Sequence, residues 1–589
     1  MTKNEFNLLY AVKKHGLVSY RTLSDLASVS LGFVSQTVKS FMEKGFVDDK
    51  GITASGLEAL APYRVESAII MAAGMSTRFV PLSLEKPKGL LEVKGEILIE
   101  RQIRQLREAG IRSITLVLGY KKEAFFYLED KYDGIDIVIN PEYNTKNNVH
   151  TLFLAQKHIS NTYICSSDNY FTDNPFEEYV YQSYYAAQHV SGRSNEWFMF
   201  PDAKGNIRKV EKGGSNGDIM VGHVYWDRSF THAMLEYVNA SAESGEYDQD
   251  LWEQIIIDHV KDLPPMEIKV YPDEFIFEFD SLDELRLFDD KYVNDTHSRI
   301  LGNICSVLDC SESDILNFKI IKEGLTNSSF VFEVDGKKYV YRHPGEGTES
   351  IISREHEKIS LELARSIGAD PTFMYMDDDE GWKISTFVEG IRTPDYSSPE
   401  DSSRILSVIK SLHEKKLSVD WDFLPWEEAC RIEGILRSEK GGIADPEYDS
   451  LRDDVEKCYL KCQGDGVEKR FCHCDTYAPN WMLTDRGDTI LIDWEYAGNA
   501  DPGCDTGTYI MDSMWTVHEA ERFIREYCGD NCTDELLFHH LAYTAILSHY
   551  WYTWALYREA CGAVMGESLY NWHVMAMRFS RYLVEKYDL

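Results

Sequence analysis

The run Ala68-Ile69-Ile70-Met71-Ala72-Ala73 is uninterrupted apolar sequence that breaks at Gly74 into a loop carrying Arg78 and, past Pro87, Lys88. Further on, strand-like stretches such as Ser113–Leu118 alternate with helix-periodic ones such as Ile99–Ala109. This alternation predicts a Rossmann-like α/β domain over residues 65–290, largely parallel, with its ligand edge at the strand C-termini. The backbone N–H groups of Ala72, Ala73, Gly74, Met75, Ser76 and Thr77 can wrap a triphosphate there, while Arg78 and Lys88 bring charge to a pyrophosphate leaving group. A second strand, Ile164–Phe171, ends in Asp168, a carboxylate placed to hold Mg2+ beside the phosphates.

Composition narrows the partners. With 61 Lys+Arg against 98 Asp+Glu the 589-residue chain carries −37, which repels nucleic-acid backbones and anionic lipid. No run of 18 apolar residues occurs and the N-terminus lacks a secretory pattern, so a cytoplasmic protein with no membrane partner is expected, its 12 cysteines reduced. The 43% hydrophobic content, with 12 Trp, 27 Phe and 35 Tyr, suffices for several cores.

Residues 1–64 read as helices over 4–14, 19–27 and 30–44, with Ser19 and Ser30 as N-caps, then a polar hairpin over 46–53. Three helices and a hairpin resemble a winged helix-turn-helix, in which the third helix enters the major groove. The segment holds 8 basic and 6 acidic residues, with Lys39 the one base on that helix ahead of its terminal Lys44, so a regulatory or dimerising appendage is favoured over DNA contact. An oligomer is compatible with this reading.

The phosphate loop and its Pro87-Lys88 resemble those of nucleotidyltransferases that join an NTP to a phosphorylated metabolite, although Ser76 stands where many members have a second Gly. That family takes a second acid from a late strand, here Glu278 or, preferred, Asp280. Asn140–Leu152, Ser167–Phe171 and Glu278–Leu285 resemble the bacterial CTP:phosphocholine cytidylyltransferases. The resemblance implies CTP as substrate and assigns Asn147 and Asn148 to nucleotide or phosphoryl contact. A trimethylammonium group needs aromatic faces and a carboxylate. Trp197, Tyr225, Trp226, Tyr247 and Trp252 are the candidates, with Asp250 or Glu253; core packing is the competing reading for each ring.

Residues 298–589 open with a helix and a hairpin, Ser329–Val334 and Lys338–Arg342 around Asp335-Gly336. Downstream, His473-x-Asp475 is followed by Asn480 and, on a strand, Asp493. This spacing supplies a catalytic base (Asp475) and two Mg2+ ligands (Asn480 and Asp493), the division of labour of protein kinases. The segment resembles the bilobal choline/ethanolamine kinases of the aminoglycoside-phosphotransferase type. That resemblance implies ATP as substrate, a phosphate loop with Gly324, Thr326, Asn327 and Ser328, an Arg342–Glu357 ion pair, and a hinge over 384–390. It also places choline against Trp551 and Trp554, with Glu495 or Asp505 as acidic partner.

The expected architecture is thus multidomain α/β and α+β: winged helix (1–64), nucleotidyltransferase (65–290) and kinase-like domain (298–589). The two resemblances together imply a bifunctional enzyme that phosphorylates choline with ATP and converts phosphocholine to CDP-choline with CTP, Mg2+ serving both sites. Its product would serve phosphocholine decoration of cell-surface glycans or lipid. Ethanolamine or another amino alcohol is the alternative substrate, and a DNA-binding sensor of choline or CDP-choline the alternative class.

Overall fold

The computed structural model describes residues 1–322, 327–344 and 353–589. The chain divides into two compact units, Met1–Lys319 and Ile320–Leu589.

The first unit is built on a seven-stranded sheet in the order Glu267–Tyr271, Tyr184–Pro201, Ile207–Trp226, Thr162–Ser166, Ser67–Ala72, Ile114–Leu118, Ile135–Ile139. The last four of these strands are mutually parallel. The long pair Tyr184–Pro201 and Ile207–Trp226 is antiparallel, so the sheet is mixed where the sequence predicts it largely parallel. Alternate residues of the central strand face opposite cores: Ala68, Ile70 and Ala72 pack with Leu116 and Tyr163, whereas Ile69 packs with Val117, Ile164 and Val224. Helix Leu98–Glu108 adds Ile99, Ile103 and Leu106 to the first core at helical spacing.

Ser67–Ala72 pairs with Ile114–Leu118 on one side and Thr162–Ser166 on the other, so the strand order reverses about it. A crevice at such a switch point receives the loops leaving both strands, and these carry residues 72–90 and Asp168. Met71 is in register with Ser166, which sets the two loops side by side. Gly89 lets them close, because a Cβ there would lie 2.8 Å from Cβ of Ser167.

At the N-terminus stand three helices, Lys3–His15, Tyr20–Ala27 and Leu31–Glu43, the latter two capped by Ser19 and Ser30. A short hairpin, Val47–Asp48 with Gly51–Ile52, follows. A further helix, Ala54–Leu60, starts at Thr53, whose hydroxyl accepts from Gly56 N; the sequence reading leaves it out. The segment docks on residues 177–181: Tyr63 stacks on Tyr181 at 5.4 Å, Phe6 lies 5.5 Å from Tyr181, and Lys13 pairs with Glu178. The compact unit extends past residue 290. Helix Arg299–Leu308 is held at its start by Glu85, which accepts from Arg299 N at 2.8 Å, and Arg286 donates to the carbonyls of Glu312 and Ile315 at 2.6 and 2.7 Å.

In the second unit, strands Asn327–Val334, Lys337–Pro344, Lys383–Thr386 and Phe373–Met376 are neighbours in that order, with helix Arg354–Ser366 against the last. The remainder is mostly helical around Asp534–Ala560, a helix buried on nearly every side, as its lack of a polar face requires. Helix Gly503–Ser513 crosses it closely at Gly507, where a Cβ would lie 2.9 Å from Cδ1 of Leu547. Among the described residues no helix is long and apolar enough to cross a membrane.

Tyr181→Ala removes the ring that Tyr63 and Phe6 share, at a cost on the order of 1 kcal/mol. Hydrogen exchange across residues 1–64 is expected to accelerate roughly fivefold, with the sheet strands unchanged.

Candidate active sites

In the first unit the loop after Ser67–Ala72 turns at Ser76, which has φ 51° and ψ 49°. This left-handed conformation explains why glycine suits the position. Lys88 begins the turn Lys88–Leu90 and is buried; its Nζ donates to Asp168 Oδ2 at 2.7 Å and lies 5.5 Å from the Phe79 ring centre. Asp168 Oδ1 accepts from the Ser166 hydroxyl at 2.6 Å. Burial raises the Asp168 carboxyl, but Lys88 and Ser166 outweigh it and hold its pKa below the usual range.

Strand Ile276–Glu278 pairs antiparallel with Asn169–Phe171, with Glu278 opposite Asn169. Glu278 ends this strand with its side chain open to solvent, and partial desolvation and, next, the charge of Asp168 raise its carboxyl above the usual range. Asp280, the preferred metal ligand of the sequence reading, bonds Arg78 at 2.8 Å on the exposed side. Glu278, ranked second from the sequence, stands opposite Asn169, the neighbour of Asp168, and feels the charge of that carboxylate. Asp168, Glu278 and Asp280 offer oxygen donors alone, which suits Mg2+, and a divalent cation would relieve the repulsion that raises Glu278.

Asn147 and Asn148 open helix Asn148–Ala155 and brace the segment after Tyr247: Asn147 Nδ2 donates to Gln249 O at 3.1 Å, and Asn148 Oδ1 accepts from Trp252 N at 2.7 Å. The expected aromatic cage is redistributed. Tyr225, Trp226 and Trp252 are core residues with 0%, 0% and 2% exposure, large rings that fill the space beneath the sheet. Tyr247 turns its hydroxyl to Asp258 at 3.1 Å, and Trp197 sits on the long hairpin with Lys212 5.7 Å from its ring centre. Glu253 instead accepts from Tyr185, unforeseen in the sequence, at 3.1 Å; its Oε2 is buried without a hydrogen-bond partner, and burial pushes its pKa up to about 7. Tyr185 could have been found from its strand, where the doublet Tyr184-Tyr185 sends one ring to each face.

In the second unit Arg342 reaches Glu357 at 2.6 Å and Asp493 at 3.2 Å. Glu357 is wholly buried and also receives Arg354, three residues before it on the same helix, at 3.0 Å, and Lys383 at 3.4 Å, a cation that motif spacing alone does not reveal. Burial raises Glu357, but Arg342 and Lys383 pull its pKa below normal. Asn480 Nδ2 donates to Asp475 Oδ2 at 3.0 Å and to Asp475 O at 2.8 Å. Burial, then the charges of Asp493 and Glu495, drive the Asp475 carboxyl far up. Glu357, Asp493 and Glu495 bring carboxylate oxygens within 4.8 Å of one another, again an oxygen set fit for Mg2+. Asn327 and Ser328 begin the strand that pairs with Lys337–Pro344, while Gly324 and Thr326 lie outside the described residues.

Asp505 is not available to an ammonium group. It is fully buried, and its carboxylate accepts from His473 N, Cys474 N and His413 Nε2 at 3.1, 2.7 and 3.0 Å. It thereby fixes the loop that presents Asp475. His473 Nδ1 accepts from Asp475 N at 3.2 Å and its Nε2 donates to Ile492 O at 3.0 Å, so this imidazole braces the loop as a neutral ring. Trp551 and Trp554 meet edge to face at 5.6 Å, with Trp572 5.8 Å and Tyr496 5.4 Å from Trp551. Trp572 comes from another helix, beyond the reach of local spacing. Glu495 precedes Tyr496, and burial plus the charge of Asp493 push it up to about 7.

Residues 67–193 match the family described as nucleotidyl transferase, and residues 317–539 the phosphotransferase enzyme family. Choline-phosphate cytidylyltransferase of Streptococcus pneumoniae is 32% identical over 232 residues, 39% of this chain and 99% of that protein. 2-Aminoethylphosphonate cytidylyltransferase of Lancefieldella rimae is 34% identical over 232 residues, 38% of this chain and 93% of its own length. The crystal structure of choline kinase LicA from Streptococcus pneumoniae is 26% identical and covers 48% of this chain and 98% of its own, with a TM-score of 0.42.

Asp505→Asn weakens the charge-assisted hydrogen bonds that hold the loop of Asp475. Steady-state kinetics with ATP should show kcat lowered roughly 100-fold and the KM for ATP changed less than about threefold, because displaced catalytic groups lose rate before nucleotide binding.

Proposed function

The chain belongs to the nucleotidyl transferase family and joins to it a domain of the phosphotransferase enzyme family, and we propose that the two act in series to make CDP-choline. The observation that carries this reading is the group Trp551, Trp554, Trp572 and Tyr496, a set of aromatic faces suited to a quaternary ammonium, with Glu495 next to Tyr496 in the chain and its carboxylate toward Arg342 and Asp493. The choline hydroxyl attacks the γ-phosphorus of ATP while Asp475 accepts its proton, the bond from the γ-phosphorus to the β,γ-bridging oxygen breaks and ADP leaves, with Arg342 countering phosphate charge. Mg2+, held by Asn480 and Asp493, would supply further charge neutralisation when bound.

In the first unit a phosphocholine oxygen attacks the α-phosphorus of CTP and pyrophosphate departs. Lys88 and Arg78 stabilise the charge that builds on the leaving group, with Asp168, Asp280 and Glu278 as the metal donors. Residues 72–77 hold the triphosphate by backbone N–H groups, Asn147 and Asn148 brace the acceptor side, and Tyr185 with Glu253 receives the ammonium end. The functional segments are 1–64, 65–290 and 298–589. Residues 1–64 serve as a docked appendage rather than a DNA reader, consistent with Lys3 and Lys13 being engaged by Glu267 and Glu178.

The relative that acts on 2-aminoethylphosphonate raises a phosphonate as a competing acceptor. A phosphonate needs no phosphorylation, so the fused phosphotransferase domain favours the phosphomonoester.

Asp475→Ala is expected to abolish phosphocholine formation and leave CTP-dependent turnover of supplied phosphocholine within about twofold of wild type; Lys88→Ala should do the reverse. Chromatographic product assays on folded variants decide, and loss of both steps in either variant would contradict independent sites. The KM for phosphocholine should fall as pH rises from 6 to 8, since Glu253 ionises near 7 and the carboxylate attracts the cation. Glu253→Gln should remove that component relative to wild type.

A further inference from the structure

A cluster of unlike ligands lies apart from the residues assigned to either reaction. Cys462 ends helix Tyr448–Cys462, Asp465 follows in the next turn, and His539 lies near the start of Asp534–Ala560. One ligand atom from each falls within 4.8 Å of the others, and Cys462 and His539 are buried. His539 Nδ1 faces Asp465, while its Nε2 is hydrogen-bonded to Asp501 Oδ1 at 2.7 Å.

We propose that Cys462, Asp465 and His539 form a site for a borderline-soft divalent transition metal, Zn2+, with Asp501 orienting the histidine. Thiolate, imidazole and carboxylate together are zinc donors and are poorly matched to Mg2+, which prefers oxygen alone. The carboxylate on the distal ring nitrogen is the arrangement that fixes the tautomer of zinc-bound histidines. Metal at Nδ1 leaves the Nε2 proton on Asp501, and that carboxylate also accepts from Gly503 N at 2.8 Å. The fourth position opens to a cavity of about 300 Å³ lined by Cys462, Asp465, Asp501, Trp426, Tyr459 and Tyr543, which gives the ion and one water an entry path.

The site also touches the catalytic loop through the backbone, since Asp501 follows Gly498–Ala500, the strand paired with Arg470–Cys472 ahead of His473.

Full-length protein with excess Mg2+ should be titrated with Co2+ as a spectroscopic probe and with Zn2+ in weak buffer at pH 7. The expected result is a thiolate-to-cobalt charge-transfer band in the near ultraviolet that saturates at about one metal per chain and is lost when Zn2+ displaces the cobalt. Cys462→Ser should abolish the band, and Asp465→Asn, at an exposed loop position that folding tolerates, should weaken binding about 10- to 100-fold. Absence of the band in folded wild type would overturn the proposal, as would a band undiminished in Cys462→Ser.

Discussion

A buried cation held against a buried carboxylate is the interaction on which each unit depends. A chain of net charge −37 that handles triphosphates has to concentrate positive charge locally, yet an unpaired cation in a protein interior is costly. The first unit resolves this with Lys88 against Asp168, the second with Arg342, Arg354 and Lys383 around Glu357. Removing one member of such a pair strands its partner at roughly 3–5 kcal/mol, so these residues hold the fold. Desolvation and, next, the charges of Asp168 and Asp493 leave Glu278 and Glu495 with raised pKa values, which Lys88 and Arg342 offset only in part.

Around these pairs the scaffolds differ. In the first unit the reversal of strand order about Ser67–Ala72 gathers the loops of Lys88 and Asp168, and Gly89 permits their close approach. The second unit uses Asp505, at the start of a helix clamped to the buried helix Asp534–Ala560, to grip the backbone of His473 and Cys474. The loop of Asp475 is thus fixed by a carboxylate wholly taken up by the fold.

Much of this was legible in the sequence because it is local. Ser19 and Ser30 cap the helices they precede, the strand Ser67–Ala72 follows its apolar run, and the spacing of His473, Asp475, Asn480 and Asp493 brings Asp475 and Asn480 into contact. What escaped was set by tertiary contact. Tyr225 and Trp252 look like binding aromatics until the sheet buries them, whereas Tyr185 acquires its role only when Glu253 is folded beside it. Asp505 reads as an acid free to bind a cation, and the loop takes both of its oxygens. Lys383 and Trp572 belong to elements other than those of the motifs they complete.

The central claim is that one chain carries choline through both transfers. A 31P NMR time course of the purified protein with Mg2+, ATP, CTP and choline, repeated with ethanolamine and with each nucleotide withheld, tests it most directly. The account predicts phosphocholine first, then CDP-choline with an equal amount of pyrophosphate, with choline used faster than ethanolamine and the sequence halting at phosphocholine when CTP is withheld. Absence of both products with either amino alcohol, from folded protein that binds ATP and CTP, would contradict it.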